Sequence, residues 1–196
     1  MKSARCVIFD FDEAYSAYAG KQGIEYISTA EQLSSWFNSA ISDVKERNAH
    51  KKELLAMGVE EEAIAQEMRR FECICLFIGR MSAFIEKAYH KPEGVTDASP
   101  FIENMLDKGD NLNIHWIIVH NTDETSQTSG YKAFTLAGKR KTGIHMGGNV
   151  AAQSILPFDH MNYTEQGKTL KAGIGLLPSG NEDERTDRVI IPLMKG

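Results

Sequence analysis

Three short segments rich in apolar and β-branched residues predict the strands of a sheet. They cover residues 5–11, 74–78 and 113–119, and a shorter extended segment is predicted at Ile24–Ile27. The run at 74–78 is unbroken, too short for a buried helix with its own caps, and typical of a strand covered on both faces. We therefore take 74–78 as the central strand of a parallel sheet.

Segments with helical spacing of apolar residues alternate with these strands. Ser28, Thr29 and Glu31 form a predicted capping box, and apolar positions then follow at helical spacing to residue 54 or 55. Further helices are predicted from Glu60, over Met81–Tyr89, from an N-cap at Ser99, and over 131–136. This alternation predicts one α/β domain over residues 1–196, with a largely parallel sheet.

The last third of the chain has a different pattern. A polar segment at 123–130 predicts an exposed, mobile loop, and a short strand and a helical turn are expected at 144–146 and 151–156. Apolar segments at 174–177 and 189–193 flank a polar loop at 179–188. They predict a C-terminal β-hairpin.

Composition excludes several function classes. The chain is 42% hydrophobic and 25% charged with a net charge of −5, which is typical of a globular domain and argues against a nucleic-acid surface. No apolar run approaches the length of a membrane span, so direct membrane contact is not expected. The three cysteines lie in or beside predicted strands and are expected as buried thiols in a reducing cytoplasm. His115, in an apolar strand, is expected to be a hydrogen-bonded core residue.

The first strand ends in Asp10 and Asp12, which suggests one catalytic alternative. An apolar strand ending in Asp-x-Asp resembles the opening motif of haloacid-dehalogenase-type phosphatases, in which the two carboxylates act as nucleophile and general acid with magnesium. The motif normally continues Gly-Thr, whereas this chain continues Glu13-Ala14, and no buried strand here ends in the required acidic pair. The phosphatase remains the alternative hypothesis.

A second resemblance covers nearly all of the chain. Its elements are the strand ending at Asp10, the charged helix containing Arg47, the strand 74–78, the Asn-Ile-His strand starting at Asn113, and a glycine-rich tail at 143–175. In this order they resemble the last ATPase-type domain of the FtsK/SpoIIIE family, in particular of EssC-type coupling proteins of type VII secretion. The resemblance implies a RecA-like, P-loop-NTPase-like sheet flanked by helices.

The departures from this family fall on nucleotide chemistry. Active members end the central strand in Asp-Glu, where this chain has Gly79 and Arg80; Asp110 and Asn121 occupy two further nucleotide-site positions. The strand and phosphate loop that would precede residue 7 are also missing from the expected pattern. These four residues are therefore predicted to be vestigial, with no catalytic residue, no metal and weak or absent ATP binding.

The resemblance also implies a function that involves no catalysis. It implies a non-hydrolysing domain of a hexameric secretion motor on the cytoplasmic face of the membrane, with secreted proteins and other motor domains as partners. The predicted contact surfaces are the exposed face of the helix at 28–55, the loop at 123–130 and the loop at 179–188.

Overall fold

The computed structural model describes residues 4–178 and 186–191. The chain divides into two compact units, Met1–Ala137 and Gly138–Gly196. Each unit is described separately, and the single domain predicted from the sequence stays a prediction.

The first unit is built on a four-stranded parallel sheet. Its strands are β1 (Ala4–Phe9), β2 (Ile24–Ile27), β3 (Cys73–Ile78) and β4 (Ile114–Ile118). Their order is β2-β1-β3-β4, and every pair is parallel. The predicted α/β class with a mostly parallel sheet is therefore confirmed, and the predicted central strand lies inside the sheet.

Helices connect the strands of this sheet. The long connections contain α1 (Ala30–Ala56), α2 (Glu61–Met68), α3 (Met81–Tyr89) and α4 (Ser99–Lys108). The capping box of α1 pairs Thr29 with Gln32, because Gln32 and not Glu31 stands three residues after the cap.

One face of the sheet and these helices enclose the main core. The ring of Phe9 stacks on Phe37 of α1 with centroids 5.5 Å apart and meets Phe84 of α3 edge-on at 5.4 Å. Burying each such side chain contributes roughly 1.5–3 kcal/mol. The core therefore fixes α1 and α3 on the same face of the sheet.

Arg47 of α1 is the largest charged side chain buried in the first unit, with 2% of its surface exposed. Its Nη1 donates to the backbone carbonyls of Glu72 and Leu112, at 2.8 and 2.9 Å, and its Nε donates to Asp43 at 2.9 Å. Those two carbonyls precede β3 and β4. Arg47 therefore joins α1 to the segments that directly precede β3 and β4.

The structure corrects three predictions in the first unit. The segment at 123–130 is not an exposed loop: it contains a 3-10 helix (Thr122–Glu124) and α5 (Thr125–Thr128), with Glu124 and Thr128 buried. The cap of α4 is Ala98, so Ser99 lies inside the helix. His115 is exposed and contacts Asn113 rather than the core, because its face of β4 is not covered.

The helix α6 (Lys132–Gly138), close to the predicted short helix, extends to the boundary between the two units. The second unit carries an antiparallel sheet of β5 (His145–Met146), β6 (Ile174–Pro178) and β7 (Thr186–Ile190), in the order β5-β6-β7, and a short helix α7 (Tyr163–Gln166).

The C-terminal hairpin is therefore confirmed, with its second strand starting earlier than predicted. The predicted turn at 151–156 is a 3-10 helix at Val150–Ala152. Residues 179–185 of the predicted contact loop lie outside the described residues. Among the described helices, none is both long and apolar enough to cross a membrane.

Candidate functional site

The carboxyl ends of β1, β3 and β4 meet at one edge of the parallel sheet, where α/β proteins place their ligand sites. A cavity of about 400 Å³ opens there between the segments that follow the three strands. Its lining includes the polar side chains of Asp10, Asp12, Tyr15, Arg80, Asn121 and Glu124.

Asp10 is buried at the end of β1, with 2% of its surface exposed. One carboxylate oxygen accepts the backbone N–H of Ala14 at 3.2 Å. The other accepts the N–H of Tyr15 and the hydroxyl of Tyr26, both at 2.7 Å. Asp10 therefore ties the turn after β1 to β2, and its oxygens already have protein donors.

Tyr26 and Tyr15 complete the surroundings of Asp10. Burial, together with the hydrogen bond to the Asp10 carboxylate, raises the pKa of Tyr26 to about 12, so this phenol stays a donor at neutral pH. The ring of Tyr15 lies against Gly79, where a Cβ atom would come within 2.9 Å of it. Glycine at 79 therefore leaves room for Tyr15 at the end of β3.

Arg80, the residue after Gly79, forms a fork between two carboxylates. Its Nε and Nη2 donate to Glu124, at 3.0 and 2.5 Å to the same oxygen, and its Nη1 donates to Asp12 at 3.0 Å. Ser82 donates its hydroxyl to the second oxygen of Glu124. The fork links the ends of β1 and β3 to the helical segment that follows β4.

The ion pairs favour the ionised forms of both Glu124 and Arg80. Hydrogen bonds from Arg80 and then Ser82 hold the pKa of Glu124 below its usual value, despite burial. The hydrogen bonds to Glu124 and Asp12 raise the pKa of Arg80 above its already high ordinary value. Arg80 is thus a permanent cation whose donors face protein carboxylates.

The charge balance of the cavity is unfavourable for a polyphosphate. Asp10, Asp12 and Glu124 contribute three carboxylates and Arg80 one guanidinium. Phosphate sites instead concentrate backbone N–H groups and cations. In the part of the chain that the structure describes, no three His, Cys, Asp or Glu side chains are grouped so that they could hold a metal ion.

The structure brings together most of the residues that the sequence singled out. Gly79, Arg80 and Asn121 line the same cavity as both phosphatase candidates. Asp110 does not: it lies in the 3-10 helix Gly109–Leu112 before β4, at the amino edge of the sheet, 3.5 Å from His115. Because Asp110 precedes β4 and the cavity lies where the parallel strands end, the two are at opposite edges of the sheet.

The sequence analysis missed several site residues, among them Glu124 and Tyr26. Glu124 lies in a polar segment whose composition resembles a solvated loop, and Tyr26 lies in a short edge strand. Neither has a motif that distinguishes it from a surface residue.

Comparison with known proteins gives matches among solved structures. No protein-family model and no curated protein matches the chain. The cytoplasmic domain of EssC matches 97% of this chain and 34% of its own, with 16% identity and a TM-score of 0.69. EssC (ATPases 2 and 3) from Geobacillus thermodenitrificans matches 97% of this chain and 31% of its own, with 16% identity and a TM-score of 0.66.

A third match is Thermomonospora curvata EccC (ATPases 2 and 3) in complex with a signal sequence peptide. It covers 100% of this chain and 32% of its own, with 13% identity and a TM-score of 0.63. This chain has the EssC-type ATPase fold. It spans about a third of the length of these three structures.

The EssC-type fold confirms the resemblance inferred from the sequence at the level of architecture. The likeness extends over nearly the whole chain, including the antiparallel sheet of the second unit. The carboxyl edge of this fold carries Arg80 between two carboxylates in the present chain. That arrangement decides which chemistry the edge can support.

Proposed function

We propose that this chain is a non-hydrolysing, ATPase-like domain of a type VII secretion motor that acts through protein–protein contacts. The observation that carries the proposal is the Arg80 fork. A guanidinium joined to Asp12 and Glu124 stands at the sheet edge where phosphoryl transfer would require a magnesium ion.

Electrostatics supports the absence of turnover. Catalysis at a phosphate needs carboxylates that are free to hold magnesium and to position water. Here Asp12 and Glu124 neutralise Arg80, and Asp10 accepts hydrogen bonds from its own turn. The two residues at the end of β3, Gly79 and Arg80, supply no carboxylate that could hold magnesium in place of these three.

Recognition of export substrates is the second part of the proposal. EccC, which shares this fold, was solved with a signal sequence peptide. By analogy, we propose that the present chain contacts secreted proteins and the neighbouring domains of a hexameric motor at the cytoplasmic face of the membrane. The exposed side of α1 is the described candidate surface for these contacts.

The phosphatase alternative has less support in the geometry. Its nucleophile would be Asp10, yet both oxygens of this carboxylate already accept donors from Ala14, Tyr15 and Tyr26. Its general acid would be Asp12, which is paired with Arg80. Both carboxylates line the cavity, but each is already engaged with protein donors.

The test is a nucleotide assay on the purified chain and on its Arg80→Ala variant. We expect no magnesium-dependent ATP hydrolysis by either protein, and no calorimetric binding of ATP at micromolar nucleotide. If the chain hydrolysed ATP and Arg80→Ala abolished this hydrolysis, Arg80 would be catalytic and the proposal would be refuted. Hydrolysis of p-nitrophenyl phosphate that Asp10→Asn abolishes would favour the phosphatase instead.

A second assay tests recognition. A fluorescent signal-sequence peptide of a type VII substrate should gain anisotropy on titration with the chain, and a scrambled peptide of equal length should not. Equal anisotropy changes for the two peptides would remove the substrate-recognition part while leaving the ATPase part intact.

A further inference from the structure

All three cysteines of the chain lie in the parallel sheet of the first unit. Cys6 is in β1, and Cys73 and Cys75 are in β3. In the register of these two parallel strands, Cys6 is the partner of Cys75, and Ala4 is the partner of Cys73. All three thiols are free and half-buried. We call Cys6, Cys73 and Cys75 the cysteine cluster.

The pleat of the strands puts the cysteine cluster on the face of the sheet opposite the main core. Successive side chains of a strand point to opposite faces. Ile74 is buried in the core, so its neighbours Cys73 and Cys75 point to the other face. Cys6 points to that face as well, because the next residue, Val7, is buried in the core. The three thiols therefore lie side by side on one face.

Part of this face is covered by the connection between β1 and β2. The ring of Tyr15 in that connection meets the ring of Phe77 edge-on, with centroids 5.0 Å apart. Phe77 is two residues closer than Cys75 to the carboxyl edge of the sheet. The cysteine cluster lies toward the amino edge, and each of its residues keeps part of its surface exposed, so a small oxidant has access to the thiols.

Cys6 and Cys75 meet the spatial requirement of a disulfide. A disulfide needs two Cα atoms about 4.4–6.8 Å apart, and adjacent strands of a sheet are about 4.7–4.9 Å apart. Cys73 and Cys75, two residues apart on one strand, are separated by about 6.6 Å, at the upper limit of that range. The diagonal from Cys6 to Cys73 is about 8 Å, which is too long. The register therefore favours the pair Cys6–Cys75.

The surroundings of the thiols also determine how fast they react. Burial raises the pKa of Cys6. Burial, together with the proximity of the other two thiols, raises the pKa of Cys75. Because the thiolate is the reactive form, a raised pKa leaves less of it at neutral pH. The pair therefore reacts slowly, and sustained rather than brief exposure to an oxidant is needed to oxidise it.

We propose that Cys6 and Cys75 form a reversible disulfide that joins β1 to β3 when the cell is exposed to peroxide. One thiolate attacks the peroxide, whose O–O bond breaks, and becomes a sulfenic acid; the other thiolate attacks that sulfur, and the S–S bond forms. In total the two thiols lose two electrons and two protons, and hydrogen peroxide takes them up to become two water molecules. Exchange with a cellular thiol such as glutathione reduces the disulfide again.

The disulfide has a measurable effect on stability. It closes a loop of about 70 residues, which contains β2, α1 and α2, and so restricts the unfolded chain. We expect the melting temperature of the oxidised chain to rise by roughly 10 °C. The inference does not depend on the proposed function, because the bond forms whether or not the chain contacts a partner.

The test treats the purified chain with hydrogen peroxide, alkylates the remaining thiols with N-ethylmaleimide and maps the peptides by mass spectrometry. We expect one intramolecular disulfide between Cys6 and Cys75, an alkylated Cys73, and full reversal by dithiothreitol. Cys6→Ser should lose both the disulfide and the rise in melting temperature. Cys73→Ser is the matched control, since it removes a thiol of the same cluster and should retain both.

The pH dependence provides a readout that a purely structural role would not affect. The rate of disulfide formation should increase about tenfold from pH 7 to pH 8, because the thiolate fraction limits the reaction. In cells that naturally make the protein, exposure to hydrogen peroxide followed by acid trapping should give the same disulfide.

Several outcomes would overturn the proposal. They are three thiols that stay open to alkylation after peroxide, a disulfide that includes Cys73, a disulfide-linked dimer as the main product, and sulfinic acid without any disulfide. Absence of the disulfide in peroxide-treated cells would overturn it as well. The peptide map of the wild type decides the pairing even if a serine variant folds poorly.

Discussion

The role assigned to Asp10 can be tested by the isosteric change Asp10→Asn. The buried carboxylate accepts three hydrogen bonds, from the N–H groups of Ala14 and Tyr15 and from the hydroxyl of Tyr26. An asparagine can keep its oxygen toward Tyr15 and Tyr26. Its amide nitrogen then faces the N–H of Ala14, and two donors oppose each other.

The expected loss of stability follows from these contacts. Losing one acceptor for a buried donor costs about 1–3 kcal/mol, and hydrogen bonds to a charged group are worth more than those to a neutral one. We therefore expect Asp10→Asn to lower the free energy of unfolding by about 2 kcal/mol. For a chain of this size the melting temperature should fall by roughly 4–8 °C.

The assay is urea unfolding followed by circular dichroism, with p-nitrophenyl phosphate hydrolysis measured on the same samples. Asp12→Asn is the matched control: this exposed carboxylate makes one ion pair with Arg80, and its loss should cost less than about 1 kcal/mol. A catalytic carboxylate behaves in the opposite way, because its replacement removes activity and often stabilises the fold. Unchanged or increased stability of Asp10→Asn, with lost turnover, would refute the structural role.

Two further predictions concern stability. Arg47→Met should lower the free energy of unfolding by about 3 kcal/mol, because two buried carbonyls lose a charged donor. The control Arg70→Met, at an exposed i,i+3 pair, should change this free energy by less than about 0.5 kcal/mol. Similar losses for the two variants in urea unfolding would contradict the role of Arg47 in joining α1 to the sheet. The pKa of Glu124 is lowered in the folded state, so its contribution is complete above about pH 4.5 and is lost as the pH falls through the folded value. Unfolding between pH 3 and 7 should show a steeper acid loss for the wild type than for Glu124→Gln, and parallel curves would count against the ion pair.

Local pattern was sufficient for much of the architecture. The apolar run at 74–78, the capping box predicted at 28–31 and the helical spacing after it predict elements that the structure contains within a few residues. These features depend on neighbours in the sequence, since side-chain periodicity and caps act over one or two turns. The order of the elements then predicts a parallel sheet, because strands that alternate with helices need crossovers.

The sequence also identified part of the site. Asp10, Asp12, Gly79 and Arg80 each lie at or directly after the end of a predicted strand, and parallel strands bring their carboxyl ends to one edge. That rule is local to each strand, so residues at such ends can be named in advance. The same rule does not predict which charged side chains form ion pairs with one another.

The pairing of charges was decided by the tertiary structure alone. Glu124 lies 44 residues after Arg80, in a segment whose polar composition predicted an exposed loop, and only the fold turns it inward to the guanidinium. The choice of which β3 side chains enter the core is equally invisible in the sequence, because Phe77 and Leu76 look alike in an apolar run. Which of them meets the core depends on the strand pleat and on the face to which the right-handed crossovers bring the helices.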